Sequence, residues 1–210
     1  MIYRDIPQGS DEWFALRCGK VTASRIADVT AKTKTGYGAG RANYMAQLIA
    51  ERLTGQVADS FTNAAMQWGI ETEPQARAAY EFYRDVEVDQ ITFADHHSID
   101  MSGASPDGLV GDDGLLEVKC PNTATHIDYL ISQKVPKKYI DQMQWQMDCI
   151  ERDWCDFLSF DPRMPEELRL WVVRVERDDD YIKTLRQEVE KFNTELEQKI
   201  HKLTALSEAA

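Results

Sequence analysis

The sequence predicts an α/β fold in which helices flank a mixed, mostly antiparallel sheet. Apolar residues recur at helical spacing toward both ends of the chain, whereas the middle changes to β-rich runs separated by turn residues. A composition of 43% hydrophobic and 29% charged residues is typical of globular proteins. No repeat, low-complexity tract or linker interrupts the 210 residues, so we expect a single domain over 1–210.

Three helices are predicted in the first part of the chain. Ser10 or Asp11 can cap a short first helix, because each offers an oxygen to the free N–H groups of the first turn. Apolar periodicity places the next two helices at 41–54 and at about 63–84. The glycine-rich stretch 33–40 predicts a flexible loop between them and the first helix.

The middle of the chain predicts strands. Short β-rich runs begin near residue 86, and two of them lie at 109–110 and 115–120. The turn signal Gly-Asp-Asp-Gly at 111–114 separates these two runs, which is typical of an antiparallel hairpin.

Helices and strands alternate toward the C-terminus. We expect helices at 124–132 and 137–150, followed by β-rich segments at 154–160 and 170–175. A long charged amphipathic helix is expected at about 179–206, because apolar residues there form one stripe.

The chain is acidic, with 24 Lys and Arg against 36 Asp and Glu and a net charge of −12. This charge argues against nucleic-acid binding by the surface as a whole, because phosphate contacts need basic side chains. The first 50 residues, however, hold seven basic and four acidic residues, a net +3, which leaves −15 on the remainder. Such asymmetry is compatible with one basic face on an acidic body.

The sequence also predicts where the protein works. Its longest apolar runs, such as 170–173, are far shorter than the ~18 residues of a membrane span, and no signal peptide is apparent at the start. The four cysteines form no C-x-x-C pair, which suits a reducing compartment. We therefore expect a cytoplasmic protein without a membrane partner.

The predicted hairpin carries the residues with the clearest chemistry. Glu117 and Lys119 are two apart on a strand and therefore share one face, and Asp107 lies across the turn. Two carboxylates that converge there would offer hard oxygen ligands to Mg²⁺, with an ammonium group beside them. From the spacing alone, an exposed hairpin with a weak ion pair is the alternative interpretation.

The register of the hairpin decides whether the two carboxylates converge. A four-residue turn would place Asp107 opposite Val118, on the wrong face. Convergence then requires a β-bulge or an irregular strand end at Asp107, and the sequence leaves both open.

Pro106-Asp107 followed by Glu117-Val118-Lys119 resembles the PD-(D/E)xK nuclease signature. The chain as a whole resembles the lambda-exonuclease family of phage alkaline exonucleases, the YqaJ-like viral recombinases. The similar blocks occur in the family's order from residue 8 to residue 164. They are Gln8-Gly9-Ser10-Asp11-Glu12-Trp13, Leu16-Arg17-Cys18-Gly19, Thr22-Ala23-Ser24, Trp68-Gly69 leading to Glu73, Ser105-Pro106-Asp107-Gly108-Leu109, Glu117-Val118-Lys119-Cys120-Pro121, Gln142-Met143-Gln144 and Asp161-Pro162-Arg163-Met164.

The resemblance implies a PD-(D/E)xK core and an exonuclease that degrades linear double-stranded DNA in the 5′-to-3′ direction. It implies release of 5′-mononucleotides, a 3′ single strand for recombination by strand annealing, and Mg²⁺, replaceable by Mn²⁺, with two ions per active site. It further implies a homotrimeric ring, a single-strand annealing protein as partner and a bacterial or phage-encoded setting. Two alternatives stay open: an endonuclease of the same superfamily, or a non-catalytic module that binds DNA ends.

The resemblance also assigns roles to individual residues. Asp107, Glu117 and the backbone carbonyl of Val118 would bind the metal, and Lys119 would position the attacking water or help to deprotonate it. Glu73 resembles the acidic residue that the family carries on a helix near the metal.

Four further assignments rest on the same resemblance. Arg17, Ser24 and Ser105 fall where the family holds the terminal 5′-phosphate, and Gln142 matches a polar residue of the active-site helix. From the residues alone, Ser24 would instead be a helix N-cap. The stretch 96–100 does not align cleanly with a further acidic residue of the family, and its two histidines are expected in an exposed loop.

Overall fold

The computed structural model describes residues 1–34, 36–58 and 63–208. The helices in these ranges are α1 (Asp11–Arg17), α2 (Ile26–Thr30), α3 (Ala39–Thr54), α4 (Ala64–Arg84), α5 (Thr123–Ser132), α6 (Lys137–Ile150) and α7 (Asp179–Glu208), with 3-10 turns at Ala23–Arg25 and Glu166–Leu168. The strands are β1 (Ile2–Tyr3), β2 (Val21–Thr22), β3 (Lys32–Thr33), β4 (Gly36–Tyr37), β5 (Val88–Asp89), β6 (Phe93–Asp95), β7 (Ser102–Ala104), β8 (Gly108–Val110), β9 (Gly114–Lys119), β10 (Trp154–Phe160) and β11 (Leu170–Glu176).

The helix boundaries follow the capping signals of the sequence. The Ser10 side chain accepts a hydrogen bond from the Trp13 N–H and begins α1, as predicted. Asn63 caps α4 in the same way, and α3 ends at Gly55 in the left-handed conformation at φ +66°. The predicted helices at 41–54, 63–84, 124–132 and 137–150 are therefore confirmed to within a few residues at their ends.

A five-stranded sheet in the order β11-β10-β9-β8-β5 forms the centre of the fold. Only the β9–β10 pair in it is parallel, and α5 and α6 supply the crossover that a parallel connection needs. The other neighbouring pairs are antiparallel. The expectation of a mixed, mostly antiparallel sheet flanked by helices is confirmed.

A second, smaller sheet has the strand order β1-β6-β7-β2 and therefore includes two strands from the first part of the chain. The predicted loop at 33–40 is only partly a loop. Within the described residues, β3 pairs with β4 to form a short hairpin, and α3 already begins at Ala39. Position 35 of that stretch lies outside the described residues. The short strands were hard to predict because two or three residues carry no clear alternation.

Helix α6 lies between two apolar cores. Its Trp145 packs with α7 residues such as Phe192 in one core, while Met143 and Met147 pack against Phe157 of β10 in the other. Residues 141–149 are all buried, so polar side chains of this helix must find partners inside the protein. The apolar stripe of α7 predicted from the sequence faces the first core. Among the described helices, none combines the length and apolar character needed to cross a bilayer.

Candidate active site

The hairpin of β8 and β9 has a register that the sequence did not predict. Gly108 pairs with Leu116 and Val110 with Gly114, so only three residues form the turn. Gly111 begins this turn at φ +56°, a left-handed conformation that glycine adopts without strain. The expected pairing of Asp107 with Val118 is therefore wrong. β8 begins at Gly108, so Asp107 lies just outside the strand, and its N–H donates to the carbonyl of Leu116, the residue that pairs with Gly108. Asp107 therefore lies at an irregular strand end, one of the two geometries that the sequence left open.

Asp107 is fixed by the backbone of the facing strand. Its N–H donates to the Leu116 carbonyl at 3.1 Å, and its Oδ2 accepts from the Val118 N–H at 2.6 Å. Burial raises the pKa of the Asp107 carboxyl well above its usual range, and the charge of Glu117 raises it further. The ionised form of Asp107 is therefore disfavoured by burial and by Glu117, and the charge of Lys119 offsets this only in part.

Glu117 is fully buried and is held by two amides of α6. The Gln142 Nε2 donates to Glu117 Oε1 at 2.6 Å, and the Gln146 Nε2 donates to Glu117 Oε2 at 2.6 Å. Lys119 donates to the same Oε1 as Gln142. Together with Asp107, these residues form a group that we call the Glu117 cluster: Asp107, Glu117, Lys119, Gln142 and Gln146.

Lys119 is held in its charged form. Burial lowers the pKa of its ammonium group, but the charges of Glu117 and Asp107 raise it, and the balance is a raised pKa. The cluster thus contains one ammonium group and two carboxylates.

Glu73 on α4 lies near this cluster and has its own partner. Arg77, one turn further along the helix, donates to Glu73 Oε1 at 3.2 Å. Burial raises the pKa of Glu73, while the charges of Arg77 and Lys119 lower it. The carboxylate oxygens of Glu73, Asp107 and Glu117 do not all lie within 4.8 Å of one another. The structure thus brings Asp107, Glu117 and Lys119 together and leaves Glu73 at their edge.

A cavity of about 420 Å³ opens beside α1 and α3. Arg17 and Ser24 both line it, together with Trp13, Lys20, Arg25 and Tyr44. Ser105 adjoins the lining, because its Oγ accepts from Arg17 Nη1 at 3.2 Å and donates to the Thr92 carbonyl at 2.7 Å. The three residues assigned to a 5′-phosphate are thus grouped around one cavity. Ser24 is no helix N-cap, since it lies inside the 3-10 turn.

Arg17 differs from the other cations of this cavity. Lys20 pairs with Asp95 at 2.6 Å, and Arg25 pairs with a neighbouring aspartate at the same distance. No ion pair within residues 1–34, 36–58 and 63–208 includes Arg17, and its guanidinium stacks on Trp13 at 4.2 Å from the ring centroid. Burial lowers the pKa of Arg17 to about 10, so it remains charged at neutral pH. An anion in the cavity would therefore meet a charged guanidinium that pairs with no carboxylate among the described residues.

Gln146 was missed by the sequence interpretation. It follows Gln142 by four residues, so both side chains project from one face of α6. That spacing was visible in the sequence, but a polar helix residue is ordinarily solvated. Both side chains are buried because α6 lies between two cores.

A second buried carboxylate lies near the end of α6. Asp148 pairs with Arg177 at 3.1 Å, with Arg186 at 2.6 Å and with His96 at 2.9 Å; we call these four residues the Asp148 cluster. His96 is buried, so its expected place in an exposed loop is wrong, whereas His97 is exposed.

The Asp148 cluster has close ligand atoms but the wrong charge for a metal. Within the described ranges, the ligand atoms of His96, His97 and Asp148 lie within 4.8 Å of one another. The His96 Nδ1 accepts from two backbone N–H groups at 3.0 and 3.1 Å, so its Nε2 carries the proton and donates to Asp148. Two guanidinium groups already compensate the single carboxylate, which disfavours a further cation.

The model of the YqaJ-like viral recombinase domain matches residues 12–153. The chain belongs to that family. The resemblance noted in the sequence is thereby confirmed. A comparison with curated proteins finds no match.

Three solved structures that are similar to this YqaJ-like protein are described as exonucleases. The alkaline exonuclease LHK-Exo from Laribacter hongkongensis is 49% identical with a TM-score of 0.90, over 95% of this chain and 99% of that one. LHK-Exo in complex with dAMP matches equally well, over 96% and 100%. A phage-related exonuclease from Haemophilus somnus 129PT, 18% identical with a TM-score of 0.71, covers 88% of this chain and 96% of its own and supports the fold alone. The expected PD-(D/E)xK fold is confirmed.

Proposed function

We propose that this YqaJ-like protein is a Mg²⁺-dependent exonuclease that degrades linear double-stranded DNA from 5′ to 3′ and releases 5′-mononucleotides. The observation that supports this most directly is that the buried Glu117 and the half-buried Asp107 come together beside Lys119. Its 49% identity to an alkaline exonuclease supports the reaction class. The alternatives are an endonuclease and a module that binds DNA ends without cutting.

The donor set of the Glu117 cluster fits a hard divalent cation. Two carboxylates face a single ammonium, and the pKa of Asp107 is raised first by burial and then by the charge of Glu117. Asp107, Glu117 and the Val118 carbonyl would hold Mg²⁺ or Mn²⁺, and Glu73 would serve a second ion from its place on α4. When bound, such cations activate water and stabilise the charge that develops on the phosphate.

The side chains of the cluster have separable tasks. Gln142 donates to one oxygen of the Glu117 carboxylate and holds it next to Lys119. Lys119, charged and in contact with Glu117, supplies positive charge close to the scissile phosphate. Neither task requires either side chain to be a metal ligand.

The 5′ polarity is supported by the cavity beside α1. Arg17 has no carboxylate partner among the described residues and can donate two parallel hydrogen bonds to a phosphate. Ser24 would add a hydroxyl donor, and Ser105 would add another if its hydroxyl turned away from the Thr92 carbonyl. Ser105 precedes Asp107 by two residues, so the cavity and the Glu117 cluster are joined by a short stretch of chain. A phosphate held at Arg17 would therefore leave the next phosphodiester near Asp107.

The reaction is tested with two substrates and one cofactor. Linear duplex and covalently closed circular duplex are incubated with the protein, with and without Mg²⁺, and with the label at the 5′ or 3′ end. We expect mononucleotides from the linear duplex only, with Mg²⁺ only, and early loss of the 5′ label. Cleavage of closed circles would favour the endonuclease, and no cleavage of either would favour the binding module.

We also propose that the protein forms a homotrimeric ring of 72 kDa from three 24.0 kDa subunits. A ring can direct the basic segment 1–50 toward the duplex and keep the acidic remainder outside, which would reconcile a net charge of −12 with processive DNA binding. The exposed 3′ strand would pass to a single-strand annealing protein in the bacterial cytoplasm. Light scattering at micromolar concentration tests the ring; a monomer mass that persists with duplex and Mg²⁺ would contradict it.

A further inference from the structure

Gln146 holds Glu117 as closely as Gln142 does. The two amides lie one helical turn apart on α6, and each donates to a different oxygen of the Glu117 carboxylate at 2.6 Å. All three side chains are buried, so water does not compete for these bonds. Two donors on opposite oxygens fix the plane of the carboxylate, which one donor alone would leave free to rotate.

The two carboxylate oxygens of Glu117 differ in how many further contacts they can accept. A carboxylate oxygen can accept about two hydrogen bonds. Oε1 already accepts from Lys119 and Gln142, whereas Oε2 accepts only from Gln146 among the described residues. The oxygen with a free acceptor position is therefore the one that Gln146 orients.

The orientation of the Gln146 amide has a cost of its own. Its Oε1 is buried and has no hydrogen-bond partner. Turning the amide over would place this oxygen against Glu117 Oε2, and two acceptors would then repel each other. The contact with Glu117 thus keeps Gln146 in an orientation that leaves its own oxygen unsatisfied, which a residue with only a packing role would not require.

We propose that Gln146 is a positioning residue that orients Glu117 Oε2 toward the divalent cation. This inference rests on the proposed function, because it takes the Glu117 cluster to be the metal site. Gln146 itself touches neither the cation nor the DNA. Second-layer contacts of this kind commonly change metal affinity by ~10-fold or more when they are removed.

The experiment is a titration of the DNA-free protein with Mn²⁺ by isothermal titration calorimetry. Gln146→Met keeps the length of the side chain and removes the donor, and we expect the Mn²⁺ Kd to rise about tenfold or more. Gln144→Met is the matched control. Gln144 is a buried glutamine two residues away, whose Nε2 donates to the Glu176 carbonyl at 2.7 Å instead of to Glu117, so its Kd should stay within twofold.

A second variant and a second measurement separate positioning from packing. Gln146→Asn keeps an amide that is too short to reach Glu117, and it should weaken Mn²⁺ binding as Gln146→Met does. In both variants the Mn²⁺ concentration for half-maximal cleavage should rise, while the rate at saturating Mn²⁺ returns to within a few fold of wild type. A lower melting temperature and a lower rate at every Mn²⁺ concentration, with an unchanged Kd in the folded protein, would overturn the inference.

Wild type and Glu117→Ala distinguish this inference from the proposed function. If Mn²⁺ binds wild type and Glu117→Ala loses that binding, the metal site stands, and an unchanged Kd in the Gln146 variants overturns the positioning role alone. If wild type binds no Mn²⁺, or Glu117→Ala binds it as wild type does, the proposed metal site and the role of Gln146 both fail.

Discussion

The Glu117 and Asp148 clusters are two buried carboxylate sites that share helix α6 and have opposite charge balance. Both carboxylates are fully buried. Asp148 faces two guanidinium groups and a histidine N–H, whereas Glu117 faces one ammonium, two neutral amides and the second carboxylate of Asp107. The Asp148 cluster has two guanidinium groups for one carboxylate, whereas the Glu117 cluster has one ammonium group for two carboxylates.

The pKa shifts follow this difference. Burial raises the pKa of Asp148, but hydrogen bonds from Arg186 and His96 lower it well below its usual range. Burial also raises the pKa of Asp107, and there the charge of Glu117 raises it further. Close ligand atoms alone would select the His96, His97 and Asp148 group as the metal site. Charge balance selects the Glu117 cluster instead, because a cation is stabilised where negative charge is in excess.

The largest expected effect comes from neutralising the Glu117 cluster. Asp107→Asn and Glu117→Gln should each lower cleavage of linear duplex by about 1000-fold or more, because the cation that stabilises the transition state loses a ligand. The melting temperature should not fall for Asp107→Asn, since the change relieves repulsion between two carboxylates. Lys119→Ala should be similarly inactive and still bind Mn²⁺. Residual cleavage within a few fold of wild type in any of the three would refute the assignment.

Breaking the Asp148 cluster should instead change stability. Asp148→Ala leaves Arg177 and Arg186 facing each other without a carboxylate, and the free energy of unfolding in urea should fall by about 3–5 kcal/mol. The cleavage rate per folded molecule should stay within a few fold. Asp112→Ala, an exposed carboxylate in the hairpin turn, is the control and should change stability little. Loss of Mn²⁺ binding in Asp148→Ala, with little loss of stability, would show that the metal site is at the Asp148 cluster instead of the Glu117 cluster.

A smaller effect is expected at the cavity beside α1. Arg17→Ala should lower cleavage about 10- to 100-fold more on 5′-phosphorylated ends than on 5′-hydroxyl ends, since it removes charge-assisted bonds to one phosphate. Lys20→Ala should discriminate less between the two ends, because Asp95 already neutralises that ammonium. Equal losses on both ends in Arg17→Ala would show that its role is structural.

The smallest expected effect is on acid stability. Burial raises the pKa of Asp161, but hydrogen bonds from Arg163 and Thr123 lower it to about 2, below the ~4 of an unfolded aspartate. Asp161 therefore stabilises the fold fully above about pH 4, and this contribution is lost as the pH falls toward 2. Asp161→Asn should remove about 1 kcal/mol from the difference in unfolding free energy between pH 5 and pH 2.5, because the exposed Arg163 is screened by solvent. An unchanged pH dependence would contradict this account.

Local patterns predicted the parts of the site that depend on one element. The period of two on β9 placed Glu117 and Lys119 on one face, and it required no knowledge of the rest of the fold. The register of the hairpin depended on whether Gly114 ends the turn or begins the strand, and glycine suits both. A tertiary contact decides it: a Cβ at Gly114 would lie 2.2 Å from the Trp154 ring, so β10 packs directly on that backbone.

Buried polar residues were the harder part to predict. Gln146 and His96 are buried because elements distant in sequence cover them, and no local sequence pattern indicates this burial. His96 in particular is enclosed by Asp148, which lies 52 residues away in the sequence, and by Arg186, which lies a further 38 residues along the chain. Such residues can be recognised only after the packing of α6 is known.

The two-residue separation of Ser105 and Asp107 has a consequence for the size of the product. Two extended residues span at most ~7 Å, so under the proposed assignments the anchored terminus and the bond to be cut are held a fixed, short distance apart. Under these assignments, such a spacing would fit one nucleotide and would exclude longer fragments. Each cut would also expose a new terminal phosphate one nucleotide further along the strand, so the product of one cycle would be the substrate of the next.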